Sequence, residues 1–153
     1  MPYPNEHEYI EAERNKIENT LRDYFLGDID VIWYKKNAKN NYANKVDTRI
    51  LVFTDFIEKI DFQIKSSGYV NRFTVGKDTL DAYLNNNYNL DFLMVTFFKD
   101  KHLYLFNWNE FVDLATELFQ TWKLNQNPKT GGWYYIIPIE DLLDNLEFER
   151  LAV

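Results

Sequence analysis

The segment LDFLMVTFF, residues 90–98, constrains the fold most because it is apolar almost without interruption. Successive side chains of a β-strand point to opposite faces, so a continuous apolar run indicates a strand that is covered on both faces. The segment HLYLFNW follows after the short turn KDK and is typical of a second strand. We therefore predict a central strand over residues 90–98, inside a sheet covered on both sides.

Helical and strand patterns alternate along the rest of the chain. Apolar residues spaced three and four apart predict a first helix over residues 5–25, with Asn5 as its N-cap and Gly27 at its end. The segments VDTRILVF and KIDFQIKS predict two strands joined as a hairpin by TDFIE. The remaining patterns are a strand DVIWYKK, a polar loop NAKNNYANK, a helix GKDTLDAYLNNN, a helix NEFVDLATELFQTWKL, a strand WYYII and a helix PIEDLLDNLEF with proline in its first turn.

The resulting order is α-β-β-β-α-β-β-α-β-α. It predicts an α/β (α+β) fold in which a central mixed β-sheet of about five or six strands is flanked by helices on both faces. A length of 153 residues is enough for one domain with its own core, and we predict a single domain over residues 1–153.

Composition and charge exclude several classes of protein. The chain has no cysteine, which excludes disulfides, a thiol nucleophile and cysteine-ligated zinc. The acidic N-terminus is unlike a signal peptide and no apolar run is long enough to span a membrane, so we expect a soluble, cytoplasmic protein. The net charge is −7, which argues against non-specific coating of DNA, yet residues 28–77 carry nine basic and six acidic residues. That basic segment leaves room for a focused phosphate contact.

Four polar residues are candidates for a functional site. Gln63 and Lys65 lie on the polar face of the predicted strand DFQIKSS, and antiparallel pairing around TDFIE brings Asp47 close to both. Glu13 falls on the apolar stripe of the first helix, where a carboxylate needs a partner. Each residue also has a purely structural interpretation: a solvated strand face for Gln63 and Lys65, a strand-start residue paired with Arg49 or Lys45 for Asp47, and a surface acid paired with Lys16 for Glu13.

The motifs AER on the first helix, VD on one strand and QIK on its hairpin partner resemble the PD-(D/E)XK (restriction-endonuclease-like) nuclease superfamily, in its Q-x-K variant. The stretch AERNKIENTLRDYF is similar to the first helix of archaeal Holliday-junction resolvases. The resemblance implies that Asp47, Gln63 and Lys65 are catalytic, and that Glu13, Asp47 and Gln63 bind Mg²⁺ or Mn²⁺. Gln63 departs from the usual glutamate of this superfamily, which removes one negative charge from the implied site.

Two functions stay open at this point. The resemblance implies a metal-dependent DNA endonuclease that hydrolyses phosphodiester bonds in defence or repair, with DNA as its partner and a homodimer as its assembly. The alternative is a non-catalytic protein of nuclease fold whose acidic surface binds a protein partner, as a phage-encoded inhibitor of a host defence enzyme would. Binding of Mg²⁺ or Mn²⁺ would favour the enzyme, so whether the chain is a deoxyribonuclease is left to experiment.

Overall fold

The computed structural model describes residues 6–153, without the side chains of Glu6, His7 and Tyr42. The described helices are α1 (Glu6–Phe25), α2 (Lys39–Tyr42), α3 (Lys77–Asn85), α4 (Trp108–Leu118) and α5 (Ile139–Asn145), with a short 3-10 helix at Phe119–Thr121. The strands are β1 (Asp28–Trp33), β2 (Thr48–Phe53), β3 (Ile57–Ser67), β4 (Arg72–Gly76), β5 (Phe92–Phe97), β6 (His102–Asn107), β7 (Lys123–Gln126), β8 (Trp133–Pro138) and β9 (Phe148–Ala152). No described helix has both the length and the apolar character needed to cross a membrane.

Six strands form the central sheet in the order β1-β2-β3-β5-β6-β9. The β3–β5 pair is parallel and the other neighbours are antiparallel, so the predicted mixed sheet flanked by helices is confirmed. The apolar strand β5 lies inside this sheet, as its sequence predicts. Its side chains alternate between two cores, with Leu93 and Val95 in one and Met94 in the other, which is why nearly every position is apolar.

The two faces of the sheet are covered by different elements. Helix α1 covers one face, where Ile17 and Leu21 pack with residues of β2, β3, β5 and β6. Helices α3, α4 and α5 cover the other face together with a second, three-stranded sheet of order β4-β8-β7. Alternation along β3 turns Phe62 and Ile64 toward α1, so the intervening residues face the α3 side.

Several local predictions differ from the structure. The loop NAKNNYANK contains the helix α2, and Pro138 is the N-cap of α5, one residue before its first turn. The helix predicted through Leu124 ends at Leu118, because Trp122 is buried and its Nε1 donates to Asp141 Oδ2 at 2.8 Å. Strands β4, β7 and β9 were not predicted. The predicted N-cap Asn5 lies outside the described residues.

The three unpredicted strands have a common physical origin. Each is short, at four or five residues, and each pairs with another strand of the chain: β4 and β7 flank β8, and β9 pairs with β6. Pairing satisfies backbone N–H and C=O groups that would otherwise be left without partners. In β4 the buried Phe73 and Val75 alternate with polar residues, but so short a pattern does not stand out in the sequence without its partner strand.

Candidate active site

The β2–β3 hairpin determines where the candidate residues lie. The strands pair antiparallel with Thr48 opposite Phe62, and the Asp47 N–H donates to the Phe62 carbonyl at 2.9 Å. The pairing thus extends to the residue that precedes β2, and it brings Asp47 beside Gln63. The predicted adjacency of these two antiparallel strands is confirmed.

Three donors fix the carboxylate of Asp47. Its Oδ2 accepts hydrogen bonds from Gln63 Nε2 at 2.7 Å and from the Ile64 N–H at 2.8 Å. Its Oδ1 accepts from Asn41 Nδ2 at 2.8 Å. Donors that reach both carboxylate oxygens hold the group in one orientation. Asn41 was missed by sequence analysis, since one asparagine in an asparagine-rich loop carries no distinguishing spacing.

Gln63 and Lys65 lie on the same face of β3 as Asp61. Gln63 is only 6% exposed, so the interpretation of this residue as part of a solvated strand face is wrong. With its Nε2 donating to Asp47, its Oε1 is the atom that can accept or bind a cation, an orientation assigned from the hydrogen-bond network. Lys65 is partly exposed, and its Nζ lies 6.0 Å from the centre of the Tyr83 ring on α3.

A buried ion pair lies next to this site on the same two strands. Arg49 donates from Nε to Asp61 Oδ1 at 2.7 Å and from Nη2 to Asp61 Oδ2 at 3.1 Å. The hydrogen bond to Asp61 is the main cause that raises the pKa of Arg49. Asp61 is 2% exposed, and its N–H donates to Asp91 Oδ2 at 2.8 Å. Arg49 therefore pairs with Asp61 and not, as one sequence interpretation had it, with Asp47.

Glu13 is carried by the helix on the other face of the sheet. Its Oε2 lies 3.0 Å from Lys16 Nζ, and its side chain is 12% exposed. Ile17 and Leu21 of the same helix pack against the face of β3 that is opposite to the face carrying Gln63 and Lys65. The ion pair with Lys16 matches the structural interpretation of Glu13. Its role as a metal ligand stays a prediction.

The donor set at Asp47 can be compared with the requirements of Mg²⁺. Among the side chains that the structure describes, no group of three or more His, Asp or Glu residues is arranged to hold a metal ion. Asp47 nevertheless supplies one carboxylate, and Gln63 supplies one amide oxygen beside it. Mg²⁺ is commonly bound by one or two carboxylates and keeps several waters, so these two residues fit such an ion with water completing its coordination.

Comparison with known proteins assigns no family to this chain. No known protein-family profile matches the chain, and no curated protein matches its sequence. Among solved structures, a nuclease from a fusselovirus is similar over 86% of this chain and 80% of its own, with 12% sequence identity and a TM-score of 0.47. Similarity at this level does not assign a function to this chain.

Proposed function

We propose that this protein is a metal-dependent DNA endonuclease of the PD-(D/E)XK type, with Q-x-K in place of the usual E-x-K. One observation carries the proposal: Gln63 donates to the Asp47 carboxylate across two paired strands, where three donors orient that carboxylate, and Lys65 lies on the same face of β3 as Gln63. Buried, pre-oriented polar groups of this kind are expected at a site where charge develops during a reaction. The basic character of the surrounding segment suits a phosphodiester substrate.

Each residue has a separate role in this proposal. Asp47 and Gln63 would hold Mg²⁺ or Mn²⁺ through the carboxylate and the amide oxygen. When bound, such an ion stabilises negative charge on the phosphoryl oxygens and lowers the pKa of a bound water. Lys65 would orient the attacking water and stabilise the charge that develops on the phosphate. Glu13 would be a further ligand if its carboxylate exchanged the ion pair with Lys16 for the metal ion.

Lys65→Ala is expected to abolish divalent-dependent DNA cleavage while the fold survives. The contact of Lys65 Nζ with the Tyr83 ring, 6.0 Å from its centre, is worth about 0.5–1 kcal/mol, and a partly exposed lysine contributes little to stability. The melting temperature should therefore fall by only a few degrees. Cleavage of plasmid and of linear DNA in Mg²⁺ and Mn²⁺ is the measurement. Lys129→Ala, an exposed lysine in the β7–β8 turn, is the matched control and should cleave like the parent. Cleavage by Lys65→Ala at the parental rate would remove Lys65 from the mechanism.

Gln63→Glu is expected to destabilise the metal-free protein and to tighten divalent-ion binding. The new carboxylate would stand where Nε2 now lies 2.7 Å from Asp47 Oδ2, so the pKa of one of the two acids would rise. A raised pKa in the folded state makes stability fall as pH increases through the ordinary range of glutamate. At saturating ion concentration, a tenfold gain in ion affinity would stabilise the folded variant by about 1.4 kcal/mol.

Thermal unfolding with and without Mg²⁺, over a pH series, measures both effects of Gln63→Glu. Gln120→Glu provides the control, since it makes the same chemical change at an exposed position of the 3-10 helix. Equal melting shifts on adding Mg²⁺ for the parent and Gln63→Glu would show that Gln63 is not a ligand.

A second candidate function is a protein-binding role without catalysis. Glu110, Asp113 and Glu117 are exposed on α4, so this helix presents an acidic face to solvent. The same three hydrogen bonds that orient Asp47 also serve as a structural link between the α2 segment and the hairpin. A chain that binds neither Mg²⁺ nor Mn²⁺ and cuts no form of DNA would favour this function.

The homodimer and the cytoplasmic location stay predictions.

A further inference from the structure

A polar cleft opens beside the candidate active site. It has a volume of about 320 Å³ and is lined by Asn44, Val46, Arg49, Lys59, Asp61, Asn87, Tyr88 and Asn89. Arg49 lies two residues after Asp47 on β2, and Asp61 lies two residues before Gln63 on β3. Residues two apart on a strand share a face and are separated by about 6.6 Å, so the cleft is adjacent to the candidate site and distinct from it.

Two cations and one carboxylate line the cleft, so one positive charge remains to bind an anionic group of a ligand. Arg49 is held by Asp61 through two hydrogen bonds. The Lys59 Nζ is 3.7 Å from Asp61 Oδ2, beyond hydrogen-bond distance, and its side chain is 49% exposed. Two cations therefore share one lining carboxylate, and Lys59 is the more exposed of them. An exposed lysine in this position suits a phosphate group.

The rest of the lining suits a nucleobase. Asn44, Asn87 and Asn89 are exposed amides, which offer both donors and acceptors to the edge of a base. Tyr88 is partly buried and supplies an aromatic ring in the α3–β5 connection. Aromatic rings combined with cations are the usual elements of sites for single-stranded nucleic acid.

We propose that this cleft binds one unpaired nucleotide of the DNA strand, next to the phosphate that is cut. The proposal rests on the proposed nuclease function and adds the class of substrate: DNA with a single-stranded or distorted segment. A volume near the lower end of the roughly 300–1,000 Å³ range of small-ligand pockets admits one nucleotide and excludes a duplex. A paired base would have to leave its stack before it could enter.

Equilibrium binding without metal tests the cleft separately from catalysis. Fluorescence anisotropy in EDTA compares a short labelled single strand with the blunt duplex of the same sequence. We expect tighter binding of the single strand, and a loss of about fivefold or more in Tyr88→Leu, because stacking on an aromatic ring is lost. Tyr88→Phe keeps the ring and should bind like the parent. Lys59→Ala should lower the slope of log affinity against log salt by about one.

Controls separate the cleft from general effects on charge and folding. Lys129→Ala and Trp133→Leu remove an exposed lysine and an exposed aromatic from the β7–β8 hairpin, and both should bind like the parent. Melting curves show whether Tyr88→Leu remains folded. If it does not, the preference for single strand over duplex and the salt slope of Lys59→Ala test the cleft without it.

The outcomes distinguish failure of the cleft from failure of the nuclease. If the parent cleaves DNA but binds duplex as tightly as single strand, or if Tyr88→Leu and Lys59→Ala bind like the parent, the cleft proposal is overturned and the nuclease stands. If the binding pattern holds but no metal-dependent cleavage occurs, nucleotide binding by the cleft is supported and the nuclease fails.

Discussion

Asp47→Ala is expected to abolish divalent-dependent DNA cleavage and also to destabilise the metal-free protein. The variant removes the only carboxylate that accepts from Asn41, Gln63 and the Ile64 N–H, among the hydrogen bonds of the described residues. Leaving partly buried donors without an acceptor costs about 1–3 kcal/mol. At about 2–4 °C per kcal/mol for a chain of this size, the melting temperature should fall by several degrees.

Cleavage assays and thermal unfolding measure the two effects of Asp47→Ala independently. Asp30→Ala, at an exposed position of β1, is the matched control and should change neither quantity. A stable, fully active Asp47→Ala variant would refute both the catalytic and the structural role of this carboxylate. A stable variant that has lost only activity would leave the catalytic role intact and show that the three donors find other partners.

Arg49→Ala is expected to produce the largest loss of stability, about 3 kcal/mol, the lower end of the range for a buried pair because Arg49 is partly exposed. Asp61 is 2% exposed, and without Arg49 its nearest cation would be Lys59 at 3.7 Å. A nearly buried carboxylate without a close partner is costly because its desolvation is no longer offset. The double variant Arg49→Met/Asp61→Leu removes both charges and should recover most of the loss.

Chemical denaturation of the parent and both variants measures this effect. Lys77→Ala breaks the exposed i,i+4 pair with Asp81 and should leave the denaturation midpoint almost unchanged. The charge of Arg49 is not a source of pH dependence near neutrality. Its pKa is raised by Asp61, so its contribution is complete below the ordinary arginine pKa and is lost only as pH rises through a still higher value. An Arg49→Ala variant as stable as Lys77→Ala would show that the pair is not important for folding.

Local patterns were sufficient for the long elements of the fold. The apolar run of β5 and the alternation of the β2–β3 hairpin were predicted from sequence, and the structure confirms both. The end of α1 is also local, since Leu26 and Gly27 adopt positive φ angles of 37° and 132° directly after Phe25. Glycine accepts such a conformation without strain, which is why Gly27 predicts the helix end.

The candidate site was only partly accessible from sequence. Period-two alternation and hairpin pairing are enough to place Asp47 beside Gln63, because both depend on residues close together in the chain. The partners of the site residues come from elsewhere in the chain: Asn41 from the α2 segment and Tyr83 from α3. Spacing in the sequence does not predict such contacts.

Periodicity of two or of 3.6 residues is a property of the local chain, so the elements of the mixed sheet, its buried central strand and the face of β3 that carries Gln63 and Lys65 were predictable from the amino-acid sequence. The pairing of Arg49 with Asp61, the hydrogen bond from Asn41 to Asp47 and the place of β9 beside β6 were not predictable in this way. Side-chain partners and edge pairing depend on which distant surfaces meet when the layers pack. A polar residue then binds whichever group is brought within hydrogen-bond distance.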